Sequence, residues 1–215
     1  MITIFYNPFR SAWKLGMWTR FRAIVERMFS TSTAPALLIG NYRLGEVDWD
    51  AILVAGKEVF LFEFKTQVTR SIIITNKKWM DENGHKIFPG SRQETPFLQL
   101  RDKRNILRGA IRGNGIDEIH AIVLFPEDFK LLDISTKPDL KTRPWFKILS
   151  MSEVADMVRD SINHPSDNDE DMQNEMTNYF LQHHSQYLIR QTSNIFNINH
   201  RGVLNFDAAT TSQSA

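Results

Sequence analysis

Cysteine is absent from the 215 residues. That excludes disulfides, thiol nucleophiles, Cys-ligated zinc and iron–sulfur clusters. Long apolar runs are absent as well. Runs such as Ala34 to Ile39 and Val59 to Phe62 fall far short of the ~20 residues that a membrane-spanning helix needs. Met1 to Arg10 lacks the charged-then-apolar pattern of a secretory leader, so no membrane and a cytoplasmic location are expected. There is no Gly-rich phosphate loop and no G-x-S-x-G elbow, which removes the common nucleotide-binding and serine-hydrolase signatures. No internal repeat occurs. The only low-complexity stretch is the Ala/Thr/Ser tail after Phe206, which is expected to be disordered. What is present is ordinary: 42% hydrophobic and 24% charged residues, close to the globular average, which excludes disordered, collagenous and fibrous chains. The length suits one domain with an extension and suffices for a core without covalent staples.

A net charge of +1 hides an asymmetry. Lys65 to Arg112 carries eleven Lys/Arg against four Asp/Glu, whereas Met151 to Ser185 carries one Arg against eight Asp/Glu. A basic middle section fits a face for a polyanion. The bland reading is a solvated face on which like charges happen to cluster, and charge alone favours it slightly.

Apolar periodicity sets out the elements. Trp13, Met17, Phe21, Ile24, Val25 and Met28 recur at three- and four-residue spacing, which predicts a helix over Arg10 to Phe29. Ser30 to Ala34 followed by Pro35 reads as a stop, and Ala36 to Ile39 as a short strand. Asp50 to Val54 and Glu58 to Lys65 read as two strands joined by Gly56 and Lys57, a two-residue hairpin in which Gly supplies a positive φ. Ser71 to Thr75 is a β-branched run, and Asp81 to Lys86 a turn. Thr95 caps a helix from Pro96 to Arg112, whose stripe is Phe97, Leu100, Ile106, Leu107, Ala110 and Ile111. Ile119 to Phe125 reads as a strand buried on both faces. Phe146 to Leu149 is a short strand, Ser152 to Ser161 a helix capped by Ser152, Asn163 to Asp169 a loop, and Asp171 to Arg190 a last helix. The order of helix, strand hairpin, strand, helix and strand predicts an α/β fold with a mixed sheet.

The hairpin register places chemistry. With Gly56 and Lys57 in the turn, Ala55 faces Glu58, Asp50 faces Glu63 and Asp48 faces Lys65. Residues opposite each other, and residues two apart, share a face. Asp48, Asp50, Glu63 and Lys65 therefore converge at the end far from the turn, while Phe60, Phe62 and Phe64 anchor the other face. Two carboxylates about 5 Å apart repel. A fold tolerates them if one is protonated, a basic group intervenes or a divalent cation lies between them. Hard oxygen ligands suit Mg²⁺, with Mn²⁺ as a substitute, and two acids, a metal and a lysine are the parts needed for phosphodiester hydrolysis. The bland reading is a solvated strand edge with a plain Asp48–Lys65 ion pair. Position weighs against it, because Glu63 directly follows the apolar run Val59 to Phe62, where unpaired charge is expensive.

The stretch from Asp50 to Lys65, reading Asp-Ala-Ile-Leu-Val-Ala-Gly-Lys-Glu-Val-Phe-Leu-Phe-Glu-Phe-Lys, resembles the core of the nuclease-related domain, NERD. That family belongs to the PD-(D/E)XK, restriction-endonuclease-like, nuclease superfamily. The likeness continues in Trp79, in Pro96-Phe-Leu-Gln99 at a helix start and in the strand His120 to Phe125, and covers about Arg10 to Leu149. It implies a restriction-endonuclease-like core over residues 1–150, with a central mixed β-sheet flanked by helices. Residues 151–215 would form an acidic helical extension and tail. It implies that Asp50 and Glu63 ligate the metal, with the carbonyl of Phe64 as a further ligand. Lys65 would position the attacking water or stabilise transition-state charge, and Gln99 would support the site. No Pro precedes the Asp, Asp48 offers an alternative first acid, and Glu26 is the only acid on the first helix, away from its apolar stripe.

Lys77 and Lys78 could contact phosphate, with Trp79 either stacking on a base or filling a core. Arg101, Lys103, Arg104 and Arg108 would give the Gln99 helix a basic surface for backbone contacts. His183 and His184 read as surface residues. The function implied is a metal-dependent nuclease acting on DNA in processing, repair or defence. The alternative is a catalytically inactive nucleic-acid-binding or interaction module that keeps the fold. Expected partners are DNA, a helicase or other DNA-processing protein, and a second copy of the chain.

Overall fold

The computed structural model describes residues 2–75, 78–87, 95–113, 115–133, 143–163, 169–183 and 189–191. In chain order it runs β1 (Ile2–Tyr6), α1 (Ala12–Phe29), β2 (Ala36–Leu44), β3 (Val47–Ala55), β4 (Glu58–Phe64), β5 (Ser71–Ile74) and β6 (Trp79–Asp81). It continues with α2 (Pro96–Ala110), β7 (Glu118–Phe125), β8 (Lys130–Asp133), β9 (Phe146–Ser150), α3 (Val154–Asn163), α4 (Asp169–His183) and β10 (Ile189–Gln191). Seven strands form one mixed sheet in the order β10-β1-β2-β3-β4-β7-β9, and β6-β5-β8 form a smaller one. β2, β3 and β4 are an antiparallel meander, and β4, β7 and β9 run parallel. The fold is α/β with a mixed sheet flanked by helices, consistent with a nuclease-like core.

Alternation along the strands gives the large sheet two apolar faces. α1 and α3 cover one, packing Phe21, Val25, Val154 and Val158 against Leu38, Leu53, Phe60 and Phe62. α2 and α4 cover the other, packing Leu107, Met176 and Phe180 against Leu37, Ile52 and Leu61. Phe97 and Leu100 of α2 extend a third cluster to the small sheet. Gly40 lets α1 approach β2 closely, since a Cβ there would lie 2.8 Å from the Trp18 indole. The acidic section beyond residue 150 docks on the sheet: Gln173 of α4 donates to the Ala36 carbonyl at 2.5 Å, and β10 pairs antiparallel with β1.

The hairpin forms with the predicted register. Ala55 faces Glu58 and Ala51 faces Phe62, with Gly56 at φ 53° in the turn. α2 starts at Pro96 behind Thr95, whose hydroxyl accepts from the Leu98 amide at 3.3 Å.

Several local expectations are corrected. β1 has no counterpart among the predicted elements, and β2 extends five residues past Ile39 to Leu44. Trp13 is 70% exposed, because the first turn of α1 faces the segments that follow β4 and β7 rather than the sheet; the buried stripe is Met17, Trp18, Phe21, Val25 and Phe29. Ile106 is 44% exposed, and the inward face of α2 carries Lys103 and Arg104 beside Leu100 and Leu107. The helical turn before α3 is capped by Ser150, not Ser152, through a reciprocal pairing with Glu153, and Ser152 bonds Asp128 instead. The last helix spans Asp169–His183, and Ile189–Gln191 is a strand. The tail after Phe206 lies outside the described residues.

Candidate active site

The open end of the β3–β4 hairpin buries what its turn end would not. Asp50, Glu63 and Lys65 are 2, 3 and 4% exposed. Asp50 shares the face of Ile52 and Val54, and Glu63 that of Val59 and Leu61, so the apolar face that α2 covers ends in two acids. α2 starts over this end. Gln99 lies in its first turn and Lys103 one turn later, and both are buried. The first turns of α1 bring Lys14 in from the other side.

Each carboxylate oxygen of the pair accepts from a donor. Asp50 Oδ1 takes Lys14 Nζ at 2.6 Å, and Oδ2 takes the Phe64 amide at 2.7 Å. Glu63 Oε1 takes Lys65 Nζ at 3.2 Å, and Oε2 takes Lys103 Nζ at 2.8 Å. Lys65 Nζ also donates to Gln99 Oε1 at 3.5 Å. Basic groups meet both facing acids, Lys14 at Asp50 and Lys65 and Lys103 at Glu63. Charge-assisted hydrogen bonds of this kind are strong, which a buried pair requires.

The surroundings separate the two acids. Burial drives the Asp50 carboxyl well above the ordinary carboxylate range, the Glu63 charge adds to this, and Lys14 and Lys103 offset it only in part. Burial acts on Glu63 the same way, but the ammoniums of Lys103 and Lys65 overcome it and hold that carboxyl low. Burial lowers the Lys65 ammonium despite Glu63. For Lys103 and Lys14 burial also lowers, but the neighbouring carboxylates outweigh it and hold both ammoniums above their usual range. Lys65 is thus the lysine of the three that gives up a proton most readily.

The structure gathers Asp50, Glu63, Phe64, Lys65 and Gln99. Asp48 stands apart. The β3–β4 pairing ends at Ala51 and Phe62; Asp48 lies across from Arg43 on β2, is 59% exposed at its side chain and comes within 4.0 Å of Lys103. The nucleic-acid contacts expected along α2 are corrected in part. Arg101 is exposed, but Lys103 points at Glu63. Arg104 is buried, donates to the Ile119 carbonyl and Glu118 at 2.6 Å each, and stacks 4.5 Å over Trp145. Lys78 is exposed, Lys77 lies outside the described residues, and Trp79 is a core residue set edge-on to Phe146. Glu26 pairs with Arg22 at 3.5 Å, remote from the acids in helical phase. His183 is exposed and stacks on Tyr179, and His184 lies outside the described residues.

Two site residues were missed or misassigned, and both left a signal. Lys103 follows Gln99 by four residues, hence shares its helix face. Lys14 precedes Trp18 by four and Phe21 by seven, so it continues the buried stripe of α1 by one turn.

Among the described residues, no group of three or more His, Cys, Asp or Glu could hold a metal ion. The donor set is two buried carboxylates, with Phe64 bonded to Asp50 through its amide. It fits a hard cation such as Mg²⁺, which takes one or two carboxylates and keeps several waters, and does not fit one that needs a full protein cage. Lys14, 35% exposed at its side chain, is the Asp50 partner with room to withdraw.

Residues 20–126 match the family model of NERD, the nuclease-related domain, a PD-(D/E)XK-like nuclease family. No curated protein and no solved structure matches the chain. Both acids, Lys65, Gln99 and Lys103 fall inside the matched segment, and Lys14 falls before it. No helix among the described residues is long and apolar enough to cross a membrane.

Proposed function

We propose that this chain, which belongs to the nuclease-related domain family, is a metal-dependent nuclease that hydrolyses phosphodiester bonds of DNA. The observation that carries the reading is a charged cluster buried at the end of a central hairpin, where apolar residues would serve the fold better. Asp50 and Glu63 would hold Mg²⁺ or Mn²⁺ with the Phe64 carbonyl, and Lys14 would yield its place on Asp50. Bound there, the metal supplies Lewis-acid charge at the scissile phosphate and lowers the pKa of a water. Lys65, 3.2 Å from Glu63, orients the attacking water and offers its ammonium to the charge that grows on the phosphoryl oxygens. Gln99 holds Lys65 from the side. Lys103 neutralises Glu63, so the site's charge stays balanced when Lys65 turns to the substrate. Exposed Lys78 is placed for a phosphate, and exposed Arg101 would exchange its 2.9 Å pairing with Asp102 for one.

The second reading is a nucleic-acid-binding module that keeps the fold without cleavage. It is favoured by the lysine and amide donors that already occupy every oxygen of the two acids. Plasmid nicking in Mg²⁺, in Mn²⁺ and in EDTA separates the two. Cleavage that needs the metal and disappears in Asp50→Ala supports the nuclease. DNA binding with no metal-dependent cleavage in either ion selects the module.

A further inference from the structure

The first turns of α1 border a groove that the fold leaves unfilled. It encloses about 320 Å³ between α1 and the segments after β4 and β7, and Trp13, Gly16, Met17, Thr66, Val68 and Pro126 line it. Trp13 and Val68 are 70 and 68% exposed. Glycine weakens a helix interior, yet a Cβ at Gly16 would meet nothing within 4 Å. Packing does not require this glycine; its effect is to keep the groove open one turn from Trp13.

Two residues of the groove are chain neighbours of site residues. Trp13 directly precedes Lys14, whose Nζ touches Asp50, and Thr66 directly follows Lys65. On the other side of Lys14 a second cleft of about 350 Å³ carries Arg10 and Arg43 together with Glu46 and Asp48. An apolar slot and a polar cleft that holds two arginines thus flank the lysine that reaches the buried acids. The slot is at the small end of ligand-sized pockets, and the Arg20–Glu127 ion pair bounds it, whereas a stable protein partner covers roughly 800 Å² on each side.

We infer that Trp13 is a stacking platform for a base of a single-stranded substrate segment, with the neighbouring phosphates lying along Arg10 and Arg43. The inference rests on the nuclease reading of the adjacent acids and narrows its substrate to strands with unstacked bases: flaps, gaps and frayed ends. Inside a duplex both faces of a base are covered by its neighbours, so an indole finds a free face only where stacking is broken. An indole stacks on any base, so the platform is tolerant of sequence.

Of the five tryptophans, the four others are 9% exposed or less, so emission changes on binding report Trp13. The titration uses short oligothymidylate in EDTA, with an abasic strand and a blunt duplex as controls. Oligothymidylate quenches the emission, and the abasic strand and the duplex leave it nearly unchanged. Trp13→Ala binds oligothymidylate about tenfold or more weakly, while Trp13→Phe keeps most of the affinity and loses the quench. Gly16→Leu fills the slot with Trp13 intact and weakens binding too. Equal quenching by the abasic strand, or wild-type affinity in Trp13→Ala, overturns the inference. So does sedimentation showing self-association that Trp13→Ala abolishes, which would make a second copy the occupant. Because no metal is present, stacking without any metal-dependent cleavage would overturn the nuclease reading and leave the platform standing.

Discussion

The two ends of the β3–β4 hairpin are made from the same strands and do opposite things. At the turn, Val54 faces Val59 and Leu53 faces Phe60, each 2% exposed or less, around the left-handed Gly56. At the open end the same alternation delivers Asp50 and Glu63 into equally deep burial, followed by Lys65. Burying a large aliphatic side chain stabilises by about 1.5–3 kcal/mol. Burying charges costs several kcal/mol per ion before partners offset it, and a well-packed apolar replacement is often no less stable. The turn end is therefore accounted for by folding alone. The open end is not, and its polar partners, Lys14 of α1, Gln99 and Lys103 of α2, Phe64 of β4 and Lys65 just after it, are a cost that points to a use.

If the contrast holds, substitutions at the two ends should affect different measurements. The largest effect is expected for the acids. Asp50→Ala or Glu63→Ala should lower metal-dependent cleavage by about a thousandfold or more, since several kcal/mol of transition-state stabilisation go with the metal. Near-UV circular dichroism should stay native. Wild-type cutting by both variants would remove the open end from function. Lys65→Met comes next, with single-turnover cleavage in saturating Mg²⁺ reduced by about a hundredfold and affinity measured in Ca²⁺ nearly unchanged. Lys65→Arg should not restore the rate, because a planar fork cannot replace a compact ammonium there. Lost affinity with an intact single-turnover rate would reassign Lys65 to binding.

The turn end should reverse that pattern. Leu53→Ala is expected to cost about 2–5 kcal/mol in denaturant unfolding, with the cleavage rate per folded molecule unchanged. A large rate loss without a stability loss would mean that the two ends are coupled. The smallest effect is expected for Asp48→Ala. Its carboxylate is half-exposed and only 4.0 Å from Lys103, so stability should shift by at most about 1 kcal/mol, with activity hurt less than by loss of Asp50. If Asp48→Ala alone abolishes cleavage, Asp48 and not Asp50 is the first acid.

How legible the site was depended on range. Asp50, Glu63 and Lys65 were found because one two-residue turn sets their register over fewer than twenty residues. Gln99 came only with the family resemblance. Lys103 and Arg104 read as surface cations in the sequence because helix periodicity cannot say which arc faces a neighbour when that arc contains charges. Trp13 was read as core for the converse reason: its spacing matches the stripe, but the helix begins beyond the sheet it packs on. β1 and β10 lie at one margin of the sheet, and their pairing partners are set by docking rather than by local pattern.

By itself the sequence determined what backbone geometry dictates over short spans. These are the alternation that puts the triple-phenylalanine face in one core, the Gly56 turn that sets two acids on the other face, and the Thr95 cap that starts α2. The tertiary structure alone decided which cations meet those acids. Lys14 reaches Asp50 across 36 residues and Lys103 reaches Glu63 across 40. Periods of two and 3.6 residues fix a side chain's direction relative to its own strand or helix. Which charge then lies opposite is fixed by how the helices settle on the sheet, and that is set by the sum of the packing contacts over the whole core rather than by any local stretch of the chain.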